Sequence, residues 1–242
     1  MTLFLVLCLA LVAGTIGGII GMGSSIILLP VLVYLHGPKA AVPIMAVAAV
    51  MANASRVMAW WREIDWRVFA AYALGGVPAA VMGARTLVSL PPRGVDLAIG
   101  LFLLAMIPGR RWLGRVLGQL ALWQMGLAGA AIGYLTGVVA STGPVSVPVF
   151  LAYGLARGAF IGTEAAASLA IYVAKAITFR TLDSLPVNEV IMGLVVGAAL
   201  MAGSFLARPL VLKLQPDQFR LVMDGVLLLS GGSLLVGAFT VA

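Results

Sequence analysis

Of 242 residues, 62% are hydrophobic and only 10% are charged, and the mean hydropathy is +1.14, a balance that excludes an ordinary soluble domain and fits a chain solvated by lipid. The net charge of +7 would suit a nucleic-acid binder, but most of the 15 basic residues sit at the ends of apolar stretches, where they orient a membrane protein and require no nucleic acid. Cys8 and His36 are the only residues of their kinds, which excludes a disulfide framework and a Cys/His metal site, and no cofactor is expected.

Apolar stretches fall at 2–21, 24–36, 40–61, 67–89, 94–108, 118–140, 144–156, 160–180, 187–211 and 217–240, ten elements in all. The first lacks a basic leader and runs straight into a glycine motif, so it is read as part of the fold rather than as a cleaved signal. Most have about 20 residues, enough for a hydrocarbon core of ~30 Å at 1.5 Å per residue. Stretches 24–36 and 144–156 are too short and read as half-helices. The basic run Pro108-Gly109-Arg110-Arg111-Trp112-Leu113-Gly114-Arg115 divides the chain into a first repeat, 1–109, a cytoplasmic linker, 110–117, and a second repeat, 118–242.

Each short element follows a break. Gly14-x3-Gly18-x2-Gly21-x-Gly23-Ser24-Ser25-x4-Pro30 returns about 119 residues later as Gly133-x3-Gly137-x3-Ser141-Thr142-Gly143-Pro144-x3-Pro148. Charge decides how the two copies run. If each break turns the chain back, the halves are antiparallel, with nine basic residues inside (Arg62, Arg67, Arg110, Arg111, Arg115, Arg157, Arg208, Lys213 and Arg220) against four outside (Lys39, Arg85, Arg93 and Arg180). If each break lies within one crossing, the count becomes six against seven, which the positive-inside rule disfavours. The expected fold is therefore an all-α polytopic membrane protein of two inverted-topology repeats, about five elements each, with a broken helix at the start of each repeat.

A helix that begins in mid-membrane aims unsatisfied N–H groups and a partial positive charge at whatever lies before it, and anions bind there. Irregular backbone at that depth must be buried in protein or line a polar hollow. Gly21, Gly23, Ser24, Ser25, Ser141, Thr142 and Gly143 are therefore candidate binding residues, the hydroxyls doubling as helix caps and Pro144 suiting a first turn. Gly14, Gly18, Gly133 and Gly137 read instead as packing notches. At the 119-residue offset Arg56 corresponds to Lys175, and helical spacing puts Asn53 beside Arg56, and Ser168 and Tyr172 beside Lys175. A cation near the bilayer centre costs at least ~2.5–3.5 kcal/mol and calls for a partner, yet the sequence places no obvious acid for either. Both could equally snorkel, lying five residues before Trp61 and Arg180. Glu164 reads as a first-turn helix acid, with proton coupling as its alternative role. Glu63/Arg67, Arg93/Asp96 and Arg220/Asp224 read as local surface pairs, and the five tryptophans as an interfacial belt.

The first motif, its degenerate second copy and Gly162-Thr163 opening a helix that carries Lys175 resemble the sulfite exporter (TauE/SafE) family of membrane permeases over essentially the whole chain. The resemblance implies a carrier of the bacterial inner membrane that moves sulfite, sulfoacetate, other sulfonates or related sulfur oxyanions, and marks Gly21, Gly23, Ser24, Ser25, Ser141, Thr142 and Gly143. Ser24-Ser25 stand where the family usually has glycines, and the second copy substitutes Ser141 and Thr142 and inserts Pro144. The expected function is secondary transport of a small anion by alternating access, with a coupling proton or ion and self-association left open. A carboxylate or metal-ion carrier, an intramembrane Ser24/His36 enzyme and a non-transporting scaffold are the competing readings. The enzyme is disfavoured because the half-helix 24–36 holds His36 about 18 Å from Ser24 at ~1.5 Å per residue.

Overall fold

The computed structural model describes residues 2–20 and 24–207, together with 228, 231, 232, 235 and 236. Nine helices are resolved along the described chain: α1 Thr2–Ile20, α2 Ser24–His36, α3 Pro38–Trp60, α4 Trp66–Ser89, α5 Pro92–Val116, α6 Leu122–Val138, α7 Gly143–Tyr153, α8 Arg157–Thr181 and α9 Val187–Ala207. Most of expected element 217–240, the pair Arg220/Asp224, and Gly21 and Gly23 lie outside the described residues. Five helices, α3, α4, α5, α8 and α9, are long and apolar enough to cross a membrane. The protein is an all-α polytopic membrane protein. With 13 and 11 residues, α2 and α7 are about 20 and about 17 Å long, too short to cross a ~30 Å core unaided.

One boundary differs from expectation. Helix α5 continues through Pro108, Gly109 and the basic run to Val116, so most of the expected linker 110–117 is helical. Proline is tolerated inside membrane helices, where neighbouring groups re-satisfy the freed carbonyl, and arginine and leucine favour the helix beyond it. Turns that do break helices have identifiable causes. Gly154 closes α7 at φ 104 and Gly37 precedes α3 at φ 78, left-handed conformations that side chains disfavour. Asp65 opens α4 by accepting the N–H groups of Arg67 (3.0 Å) and Val68 (3.1 Å). Its neighbours Glu63 and Arg67, expected to pair, form no ion pair.

Lipid is as apolar as leucine, so helices in it associate by close fit rather than by hydrophobic expulsion. Glycine supplies that fit at two long seams. Between α4 and α6, a Cβ on Gly133 would lie 2.3 Å from the Gly76 carbonyl oxygen, and one on Gly129 2.2 Å from that of Tyr72. Between α1 and α9, Gly14 faces the Leu200 carbonyl at 2.3 Å and Gly203 that of Leu11 at 2.2 Å. The Ser204 hydroxyl adds a hydrogen bond to the Gly14 carbonyl (3.2 Å).

The seams place the centre. Helix α9 also packs on α3, α4 also packs on α8, and α3 lies against α8. Of the two larger core clusters, one draws mainly on α1, α2, α3 and α9, and the other on α4, α6, α7 and α8. Helices α3 and α8 are the most enclosed of the five long spans, 67% and 56% buried against 33% or less for the others. Polar side chains on their facing surfaces are therefore shielded from lipid by protein.

Candidate functional site

The starts of α2 and α7 meet at that centre. A polar cavity of about 40 Å³ is lined by Ser24 and Ser25 from the start of α2, and by Ser141, Thr142 and Gly143 from the start of α7. Helix α3 adds Asn53 and Arg56 behind the small side chains of Ala49 and Ala52, and α8 adds Glu164, Ser168 and Tyr172. Such a space holds water or a few heavy atoms, and a larger solute would need the walls to move. Of the ten expected site residues that are described, nine line this cavity. Lys175 does not.

Arg56 is the cavity's cation, and it does not snorkel. Its Nη1 donates to Glu164 Oε2 at 3.0 Å, its Nη2 donates to Asn53 Oδ1, and the two charged side chains are 12% and 4% exposed. Asn53 in turn donates to the Ala49 carbonyl at 2.7 Å, so it acts as a clamp that fixes the guanidinium. The other Glu164 oxygen, Oε1, accepts from Ser168 (2.8 Å) and Ser146 (3.2 Å). Donors so placed around a buried carboxylate replace its lost water.

Glu164 is thus the partner that sequence reading did not assign to Arg56. It is the eighth residue of α8, beyond the first turn expected of it, and α8 opens at Arg157, ahead of the expected start near residue 160. Nothing local signalled the pairing, since 108 residues separate the two.

Lys175 is fully buried and turned elsewhere. Its Nζ donates to the carbonyls of Thr136 and Val139 (2.7 Å for the latter), and it stands 5.6 Å from the centre of the Phe179 ring. Those carbonyls close the C-terminal end of α6, whose partial negative charge favours a cation. The expectation of a second cation facing the cavity, and the alternative of a snorkelling lysine, both give way to this role in holding the break. Tyr172 contributes to the same end, its hydroxyl donating to the Ala140 carbonyl at 3.0 Å with Ser25 and Ser141 beside it.

The hydroxyl of Thr142 also differs from its expected use. It occupies the N-cap position of α7 but makes no side-chain cap, pairing instead with Thr136 Oγ1 at 2.5 Å. The backbone carbonyl of Thr142 accepts the amides of Val145 (2.9 Å) and Ser146 (3.0 Å), with Pro144 in the first turn as expected. Thr163, expected near the opening of α8, is buried within it and accepts the Asp65 amide at 2.9 Å.

With this geometry in place, the comparison with known families is decisive. The family model for the sulfite exporter TauE/SafE matches residues 6–234. The chain belongs to this family. No curated protein and no solved structure matches it. TauE/SafE proteins are membrane transporters, and the matched region contains every residue of the cavity. Among the described residues no group of three or more His, Cys, Asp or Glu could hold a metal ion. His36, at the far end of α2 from Ser24, is exposed and stands outside the cavity lining.

Proposed function

We propose that the chain is a secondary carrier for a small oxyanion, most naturally a sulfur oxyanion such as sulfite, sulfoacetate or another sulfonate, in the inner membrane of a bacterium. The observation that carries this reading is the meeting of two half-helix starts, their serine and threonine side chains and one clamped guanidinium around a single enclosed cavity. Amides, hydroxyls and arginine can all donate hydrogen bonds, and an oxyanion needs such donors when it sheds water. Among the described residues, the one carboxylate lining the cavity is committed to Arg56, so a metal ion finds a poorer site there.

The helix pairing supports two inverted repeats, 1–109 and 118–242, joined by the basic segment 110–117. Interchanging the halves maps the α1/α9 seam onto α6/α4, and the α3/α9 contact onto α8/α4. Rocking of one core cluster against the other would alternate access to the cavity from the two sides.

Proteoliposome flux tests the reading. Saturable uptake of labelled sulfite or sulfoacetate, competed by other sulfonates and poorly by acetate or divalent metals, is the expected result. Uptake of acetate or a metal ion in place of every sulfur oxyanion would redirect the assignment, and the absence of any flux would favour a scaffold.

A further inference from the structure

The cavity proposed to receive an anion already contains one. Glu164 occupies the guanidinium of Arg56 and the hydroxyls of Ser146 and Ser168, the very donors an oxyanion would seek. If an oxyanion entered beside an ionised Glu164, two negative charges would share a single arginine within an enclosed space, where like charges repel strongly. Either the carboxylate must leave or it must be neutralised. Its position on the most enclosed face of α8, 4% exposed, leaves it nowhere to go.

Among the described residues the surroundings offer no second cation to restore the balance. Glu164 faces Arg56 from α3, Tyr72 from α4, Tyr172 and Ser168 from its own helix and Ser146 from α7. Helices α6 and α7 carry no charged residue, and Glu63, from the turn after α3, reaches α8 only at Gly158. Lys175 is committed to the end of α6.

We propose that Glu164 is the proton-binding group of this carrier, so that one proton enters with each anion and the anion takes over Arg56. The step balances simply. A proton from the aqueous side bonds to Glu164 Oε2, the Arg56–Glu164 ion pair opens, and the guanidinium, still held by Asn53, turns its Nη1 to the anion. The protonated carboxyl then offers its O–H to an anion oxygen, a donor where a competitor stood. On release the proton departs with the anion, and the ion pair closes again to seal the empty cavity. This inference rests on the oxyanion-carrier reading.

The test uses the full chain in proteoliposomes with the pH dye pyranine inside and sulfoacetate as probe, because both its acid groups are ionised between about pH 6 and 8. An inward sulfoacetate gradient is expected to acidify the lumen of vesicles holding the parent protein. Glu164→Gln is expected to keep exchanging labelled for unlabelled sulfoacetate while acidification falls at least tenfold and the exchange loses its pH dependence. Glu164→Asp, which keeps the carboxyl group, should still acidify the lumen, though with slower exchange. Parent flux without acidification, or undiminished acidification by Glu164→Gln, overturns the proton proposal alone. The absence of sulfoacetate, sulfite and sulfate movement by the parent overturns the carrier reading and this inference with it.

Discussion

Arg56 and Lys175 sit 119 residues apart at matching points of the two halves, each near the C-terminal end of a deeply enclosed helix, but they hold different partners. Arg56 reaches across to a side chain of the other half, with Glu164 Oε2 at 3.0 Å, and its head lines the cavity. Lys175 remains within its own half and donates to the two backbone carbonyls that end α6. The difference follows from the head groups. A planar guanidinium can be held by Asn53 on one edge and a carboxylate on another, whereas a compact ammonium suits the converging carbonyls of a helix end. Two positions that correspond at this offset thus present one cation to the cavity and one to a helix end.

The sharpest way to break this division is to remove Arg56. Arg56→Ala strips the cavity of its positive charge and leaves Glu164 without its ionic partner, and breaking a buried pair costs ~3–5 kcal/mol. Sulfoacetate uptake should fall by about a hundredfold or more, equivalent to ~2.7 kcal/mol. Because the variant could also fold poorly, Arg56→Gln/Glu164→Gln, which removes both charges together, should recover most of the thermal stability without recovering uptake. Uptake by the double variant near that of the parent would show that Arg56 serves the fold alone.

Lys175→Met is expected to reverse the pattern. It leaves the Thr136 and Val139 carbonyls without their lysine donor, at ~1–3 kcal/mol for each buried group left unsatisfied. In a chain of this size each kcal/mol lowers the melting temperature by ~2–4 °C. A clear drop in melting temperature with less than about a fivefold change in sulfoacetate affinity, read from tryptophan quenching, would support the scaffold role. Unchanged stability with affinity lost by tenfold or more would restore Lys175 to the binding site.

The same contrast explains what the sequence could and could not convey. Span lengths and the short stretches after the glycine breaks located all nine described helices to within a few residues, except where α5 runs on and where α6 opens. Pro108-Gly109 reads as a breaker, and only the packing around it reveals a continuous helix. The cavity's hydroxyls were legible because a helix start in mid-membrane demands polar company. Glu164 was not, because pairing over 108 residues leaves no local spacing to read. Lys175 was misdirected for a different reason: its partners are backbone carbonyls, which every residue carries, so no side-chain pattern announces them. Asp65, by contrast, stands just before an apolar run in N-cap fashion and could have been found.

The smallest effect is expected at Thr142, where the two halves can be compared hydroxyl by hydroxyl. Its Oγ1 pairs with Thr136 Oγ1 rather than capping α7, and Thr136 also donates to the Ile132 carbonyl at 2.7 Å. Thr142→Val keeps the shape and removes one neutral hydrogen bond, worth ~0.5–1.5 kcal/mol net, while the backbone carbonyl that holds the first turn of α7 is untouched. Sulfoacetate affinity should change by less than about threefold. Loss of tenfold or more would mean that the hydroxyl turns away from Thr136 to meet the anion. The break before α7 would then share directly in binding, and the division of labour between the halves would be confined to their two cations.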